Sequence, residues 1–221
     1  MNMIDDTGGK EASATRSAYL TLRNMILAGA LPAGQKLKIE QLRNMLDTGA
    51  SPVREALSLL TSDMLVERID QRGFRAAAAN KANFDEILAL RCTLEDLALR
   101  QSIANAKSAW EEHLVIAHHN MKKATGKDTA VFEEAHKRFH MALLANSGSP
   151  MLERFCAQLY DLNIRYRNLA AHSKTYPHRD IAAEHDAILE AAVNRDADHA
   201  CSNLLRHYRL TGEYLTRGMQ I

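Results

Sequence analysis

Neither sign of charge dominates this chain: 28 Lys and Arg stand against 27 Asp and Glu in 221 residues, a net charge of +1. Bulk electrostatics therefore cannot draw in a polyanion, and any nucleic-acid binding has to rest on a local motif. Residues 16–75 carry nine Lys/Arg and six Asp/Glu, a mild excess of three. Cysteine is sparse and odd in number (Cys92, Cys156, Cys201), with no C-x-x-C pair, which excludes a disulfide framework and reads as reduced core thiols of a cytoplasmic protein. No apolar run approaches the roughly 20 residues that span a membrane, and the first residues lack a basic stretch followed by an apolar one. A soluble protein without a membrane partner is expected. Glycine-rich phosphate loops, H-E-x-x-H and G-x-S-x-G are all missing, as are internal repeats and low-complexity tracts. Aromatics amount to only 5% while 46% of residues are hydrophobic, so the cores are expected to be helical and rich in Ala and Leu.

The most informative stretch is Thr48-Gly-Ala-Ser-Pro-Val-Arg-Glu-Ala-Leu57. Ser51 suits an N-cap and Pro52 the first helical position, where a missing N–H costs nothing. Val53, Ala56, Leu57 and Leu60 form one apolar stripe, with Ser51, Arg54 and Ser58 on the opposite face. A helix buried on one side, with an arginine near its exposed N-terminal end, fits a recognition helix entering the major groove of double-stranded DNA. Upstream, residues 16–29 predict a helix with Leu20, Leu22, Ile26 and Leu27 inward, ended by Pro32 and Gly34. Residues 39–46 predict a second, with Ile39, Leu42, Met45 and Leu46 inward. Downstream, Leu65–Asp70 alternates like a strand, Gln71-Arg72-Gly73 can turn, and Phe74-Arg75-Ala76 can return as a wing. The expected domains are a disordered tail over 1–13, a winged helix-turn-helix over 14–78, and an all-α domain over 79–221.

That last region predicts six helices, near 83–105, 108–124, 128–147, 150–171, 179–194 and 196–217, with Asn83 and Glu86 as a start signal. The fold class is thus mainly α. Ten histidines are present, and His136 and His140, four apart, leave one helix on one face. His185 and His207 lie on the fifth and sixth bundle helices. Three helices can point four imidazoles at one spot, a donor set suited to a divalent transition metal. Exposed or hydrogen-bonded histidines are the alternative that spacing alone leaves open.

Ile26-Leu-Ala-Gly-Ala-Leu-Pro-Ala-Gly34, Leu37, Pro52-Val-Arg-Glu-Ala-Leu57 and Arg72-Gly-Phe74 resemble the winged-helix domain of GntR-type bacterial transcription regulators. Arg91-x-x-x-Glu95, Phe139-His140, Glu184-His185 and His207 resemble the FCD effector domain of the FadR/VanR branch. The resemblance implies a homodimeric regulator, a repressor, bound to operator DNA through Ser51, Arg54 and Ser58, with Arg72 and Gly73 of the wing near the minor groove. Gly49-Ala50-Ser51 departs from the Ser-Arg-Thr that usually precedes Pro-Val-Arg, so one usual DNA contact is missing and operator sequence does not carry over. The resemblance also implies a metal, zinc or nickel, on His140, His185 and His207. His136 stands where an aspartate is usual, so the set His136, His140, His185 and His207 leaves the +2 charge uncompensated and favours an anionic, small-carboxylate effector. Glu133 is a substitute carboxylate. Arg91 is the implied effector-binding residue, against an intramolecular pair with Glu95. The six other histidines (His113, His118, His119, His172, His178, His199) read as surface residues. Two further functions compete: a direct sensor of the metal, and an HD-type hydrolase built on His185-Asp186.

Overall fold

The computed structural model describes residues 7–70, 72–170 and 179–218. The chain divides into two compact units, one of residues 1–80 with 164–169, the other of 81–163 with 170–221.

In the first unit, α1 (Thr7–Leu27) packs on α3 (Ala50–Ser62), and α2 (Ile39–Leu46) precedes α3 as the first helix of the helix-turn-helix. The helix α1 begins inside the segment expected to be disordered. Lys10, Glu11, Ala12 and Ala14 are strong helix formers and carry the helix back through Gly8-Gly9; residues 1–6 lie outside the described ones. Its end comes before Pro32, at Gly29, whose φ of 79° closes the turn and lets Leu31 N–H return to the Met25 carbonyl at 3.1 Å. Val53, Ala56, Leu57 and Leu60 are fully buried, as their stripe requires. Leu20 and Met45, expected inward, are 43% and 56% exposed. Leu22, Ile26 and Leu42 already fill the available interior, so these two positions fall at the edges of their apolar faces.

The strand β1 (Lys36–Leu37) joins the wing strands β2 (Val66–Ile69) and β3 (Gly73–Ala76) in the order β1-β3-β2, both pairs antiparallel. Two residues without a period could not announce β1. It is held by Leu37, buried opposite Phe74, in the register Lys36 to Arg75 and Leu37 to Phe74.

The second unit is built from α4 (Lys81–Ala104), α5 (Ser108–Ala124), α6 (Thr129–Leu144), α7 (Pro150–Ala170, of which 164–169 group with the first unit), α8 (Ile181–Val193) and α9 (Ala197–Gly218), the six helices expected, counted among the described residues. Their starts follow from capping. The Asp128 carboxylate accepts from Ala130 N–H at 2.9 Å, Asp180 from Ala183 N–H at 2.9 Å, and Asp196 from His199 N–H at 3.1 Å. Asn83 is no cap, because α4 has already begun at Lys81. The helices α4 and α8 both pack on α9, and α5 packs on α6 and α8. Their shared core holds Leu99, Leu114, Phe139, Leu143, Ile188 and Leu204, none of them exposed. Cys156 and Cys201 are free and buried in it; burial, the largest influence, pushes both thiols up to about 12, which keeps them protonated and inert.

Candidate functional site

On the first unit, the motif residues present an outward surface. Ser51, Arg54 and Ser58 are exposed on α3, and Arg72 and Gly73 are exposed at the wing tip, whose middle residue Gln71 lies outside the described ones. Ser51 is not the N-cap. Helix α3 starts two residues earlier than expected, at Ala50 after Gly49, whose extended backbone (φ −74°, ψ 162°) opens it without a side-chain cap, so Ser51 and Pro52 fall inside the first turn. The Ser51 hydroxyl is thereby released from capping. Glu55, a possible partner for Arg54, instead accepts from Thr15 Oγ1 at 3.0 Å. Among the described residues no ion pair engages Arg54. Ser58 Oγ donates back to the Arg54 carbonyl at 3.0 Å, which commits its hydrogen and leaves its oxygen able to accept. At the wing, φ of +94° at Gly73 suits glycine alone, and Arg68 and Arg75 flank it as exposed cations that the sequence reading did not single out.

The second unit holds its functional side chains inside. Helix α6 presents His136 and His140 one turn apart, α8 presents His185 and α9 presents His207. All four are at most 5% exposed, and one ligand atom from each falls within 4.8 Å of the others. Phe139, fully buried between them on α6, sets its ring edge-on to His140 and His185 at 5.6 and 5.5 Å. His136 Nε2 lies 3.1 Å from His140 Nε2 and 3.2 Å from His185 Nε2. A tetrahedral ion with bonds of about 2.0–2.1 Å would space its nitrogens about 3.3 Å apart, close to these two spacings, so the donor set could hold a transition metal. Among the described residues no carboxylate joins it: Glu133 is not one of the clustered donors.

Oxygen atoms wait behind three of the imidazoles. His136 Nδ1 is 2.6 Å from Tyr160 Oη, His140 Nδ1 is 3.0 Å from Tyr208 Oη, and His207 Nδ1 is 2.8 Å from Glu184 Oε2. Where that oxygen accepts, as the Glu184 carboxylate must, it keeps the proton on Nδ1 and turns the Nε2 lone pair inward, the arrangement that metal-binding histidines need. Burial would raise the Glu184 carboxyl, but hydrogen bonds from His207 and from Arg179, 2.6 Å away, outweigh it and bring it down to about 2. Tyr208 in turn donates to Glu95, and burial, followed by that carboxylate, holds its phenol well above its ordinary value.

Arg91 meets the intramolecular partner. Its Nε is 2.6 Å and its Nη2 3.4 Å from the two Glu95 oxygens, Nη1 donates to Asn163 Oδ1 at 3.1 Å, and the guanidinium lies 4.1 Å from the Tyr208 ring centre. Tyr160, Tyr208, Asn163 and Arg179 were missed in the sequence. They come from α7, α9 and the residues before α8, and no spacing relates them to the histidines they serve.

His118, expected on the surface, is buried: its ring stands edge-on to Phe139 at 5.1 Å and its Nε2 is 3.0 Å from Asp186. Helix α5 turns that position toward α6 and α8, and burial, outweighing the Asp186 charge that would raise it, lowers its basicity. His113, His119 and His199 are exposed, and His172 and His178 lie outside the described residues. Asp186 spends both oxygens on Lys122 at 3.1 Å, facing α5, so the adjacent His185-Asp186 pair does not converge on one centre.

A winged helix-turn-helix with an exposed motif arginine, joined in one chain to a bundle with a buried imidazole cluster, defines a DNA-binding transcription regulator. Residues 14–75 match the bacterial regulatory proteins of the gntR family and residues 86–210 match the FCD domain, so the chain belongs to the GntR family, in its FCD-containing branch. It is 36% identical over 202 residues to the uncharacterized HTH-type transcriptional regulator BphR of Paraburkholderia xenovorans (strain LB400), covering 88% of this chain and 81% of that one. It is 28% identical over 201 residues to the HTH-type transcriptional repressor GlaR of Escherichia coli (strain K12), covering 87% and 91%. The fold is also that of E. coli McbR/YncC (TM-score 0.79, 21% identity, 92% of this chain and 97% of that). A putative GntR regulator from Rhodococcus sp. RHA1 shares it (TM-score 0.77, 18% identity, 94% and 100%). The family consists of regulators and not enzymes, which sets the hydrolase alternative aside. No helix among the described residues is long and apolar enough to cross a membrane.

Proposed function

We propose that the protein is a homodimeric, cytoplasmic repressor that binds one divalent transition metal, zinc or nickel, through His136, His140, His185 and His207, and that a small carboxylate reaching this metal weakens its hold on operator DNA. The observation that carries the reading is the convergence of four buried imidazoles with no carboxylate among them. Four neutral ligands leave a dication its full charge, and the acids behind His207 and Tyr208 are already neutralised, Glu184 by Arg179 and Glu95 by Arg91. An anionic ligand is what such a centre lacks. Ser51, Arg54 and Ser58 read the major groove, Arg72 and Gly73 approach the minor groove, and a dimer sets two such surfaces on half-sites about one DNA turn apart. The name of GlaR supports repression.

A second reading, direct sensing of the metal, has one observation in its favour: four protein ligands can close a tetrahedral shell without help. One experiment separates them. Operator DNA, selected from random duplexes, is titrated with metal-stripped and reloaded protein, with and without a panel of small carboxylates. Weaker operator binding only when metal and a carboxylate are both present supports the effector reading. Affinity that follows metal alone supports the sensor, and affinity indifferent to both sinks the two readings together.

A further inference from the structure

We infer that Arg91 and Glu95 are positioning residues of the metal centre, which act through Tyr208 to hold His140 as an Nε2 donor. The inference rests on the metal reading above and concerns residues of α4 and α9 that lie outside the ligand set.

Tyr208 has one hydroxyl hydrogen and donates it to Glu95. A carboxylate held by the Arg91 guanidinium, at 2.6 Å, has no hydrogen to give back. The Tyr208 oxygen can therefore only accept from His140 Nδ1, 3.0 Å away. The imidazole hydrogen is thereby fixed on Nδ1 and the lone pair on Nε2, the nitrogen that faces His136 at 3.1 Å. Without the carboxylate, the Tyr208 hydroxyl could turn to donate to His140 Nδ1. The imidazole hydrogen would then sit on Nε2, in the way of a metal.

The same arrangement accounts for an otherwise costly feature. Arg91 and Glu95 are 5% and 0% exposed in their side chains, and a buried ion pair seldom repays its desolvation by Coulomb attraction alone. Here Asn163 takes a further guanidinium hydrogen at 3.1 Å, and the cation lies over the Tyr208 and Tyr160 rings, 4.1 and 5.1 Å from their centres. Both of those tyrosines carry the oxygens behind metal-facing histidines. Arg91, implied by resemblance as an effector anchor, is thus engaged by Glu95, Asn163 and both tyrosine rings in ordering the site, and the carboxylate of an effector meets the metal instead.

The test uses the full-length protein, stripped with chelator and titrated with cobalt(II) alone, its affinity read by chelator competition and its ligand field by visible absorption. Tyr208→Phe keeps the ring beneath Arg91 and removes only the hydroxyl. Glu95→Gln keeps the shape and offers Tyr208 a donor in place of an acceptor. Each is expected to weaken cobalt binding 10–100-fold and to shift the visible bands. The double variant should lose no more than the worse single, since both cut one relay. Purely structural damage would instead add. Wild-type affinity in Tyr208→Phe, which keeps the packing and carries the test if Glu95→Gln does not fold, overturns the relay. So do additive losses. A wild-type protein that takes up no cobalt overturns the metal reading itself, and the relay with it.

Discussion

The two units of this protein use polar residues in opposite ways. In the helix-turn-helix unit the interior is apolar, from Leu22 and Ile26 to Leu57 and Leu60, and the residues assigned to DNA are all on the outside. In the bundle the order is reversed: four histidines, Arg91 and Glu95 are buried among Phe139, Leu99 and Leu143, with hydrogen-bonding partners supplied from several helices. A surface site needs only a helix set at the right angle, and its side chains lose little by standing in water. An interior polar site is stable only if its donors and acceptors are answered, because an unanswered one costs about 1–3 kcal/mol. The outer surface can thus change its contacts cheaply, as Gly49-Ala50-Ser51 illustrates, whereas the inner one must change as a set.

That contrast can be broken at four places, taken from the largest expected effect downward. Leu57→Ala removes the centre of the apolar stripe in α3 and should cost about 2–5 kcal/mol of stability, read as a lower-melting transition with loss of operator binding on warming. Metal uptake measured on the same sample should stay at the wild-type level; a parallel loss would refute the separation of the two sites. His185→Ala is expected to weaken metal binding by at least about 100-fold, since each of four ligands carries a share of a binding energy on the order of 10–16 kcal/mol. Competition with a coloured chelator measures it, and a drop of less than tenfold would show that His185 stands outside the shell. Arg54→Ala should lower operator affinity about 10–100-fold, or 1–3 kcal/mol, in a mobility-shift titration. Its melting temperature should not move, as the side chain is exposed; unchanged affinity would remove Arg54 from the interface. Gly73→Ala forces a side chain into φ of +94° and should destabilise the wing by about 1–2 kcal/mol, visible in thermal melting. No change there would mean that the turn relaxes without strain.

The sequence carried the outline of the molecule and most of its helix ends, and the reasons are local. Asp128, Asp180 and Asp196 cap their helices through bonds to backbone only two or three residues away. The stripe of α3 repeats within a few turns. Where local signals competed, the expectation slipped: Ser51 had every attribute of a cap, yet Gly49 opens α3. Leu20 and Met45 were placed inward by period, while neighbours on the same helices filled the space. The histidine set was legible through its i,i+4 pair and through resemblance. What stands behind it was not, because His140 and Tyr208 are 68 positions apart and Tyr208 and Glu95 113. The Arg91–Glu95 pair, four apart on α4, was legible as an alternative, but only the packing of α4 on α9 could reveal that Tyr208 joins it.

The central claim is that the bundle holds a metal on neutral imidazoles, and elemental analysis of untagged protein purified without chelator tests it most directly, with His140→Ala alongside. The account predicts about one zinc or nickel ion per wild-type chain and none in the variant. A wild-type chain that remains metal-free after incubation with excess of either ion would contradict it.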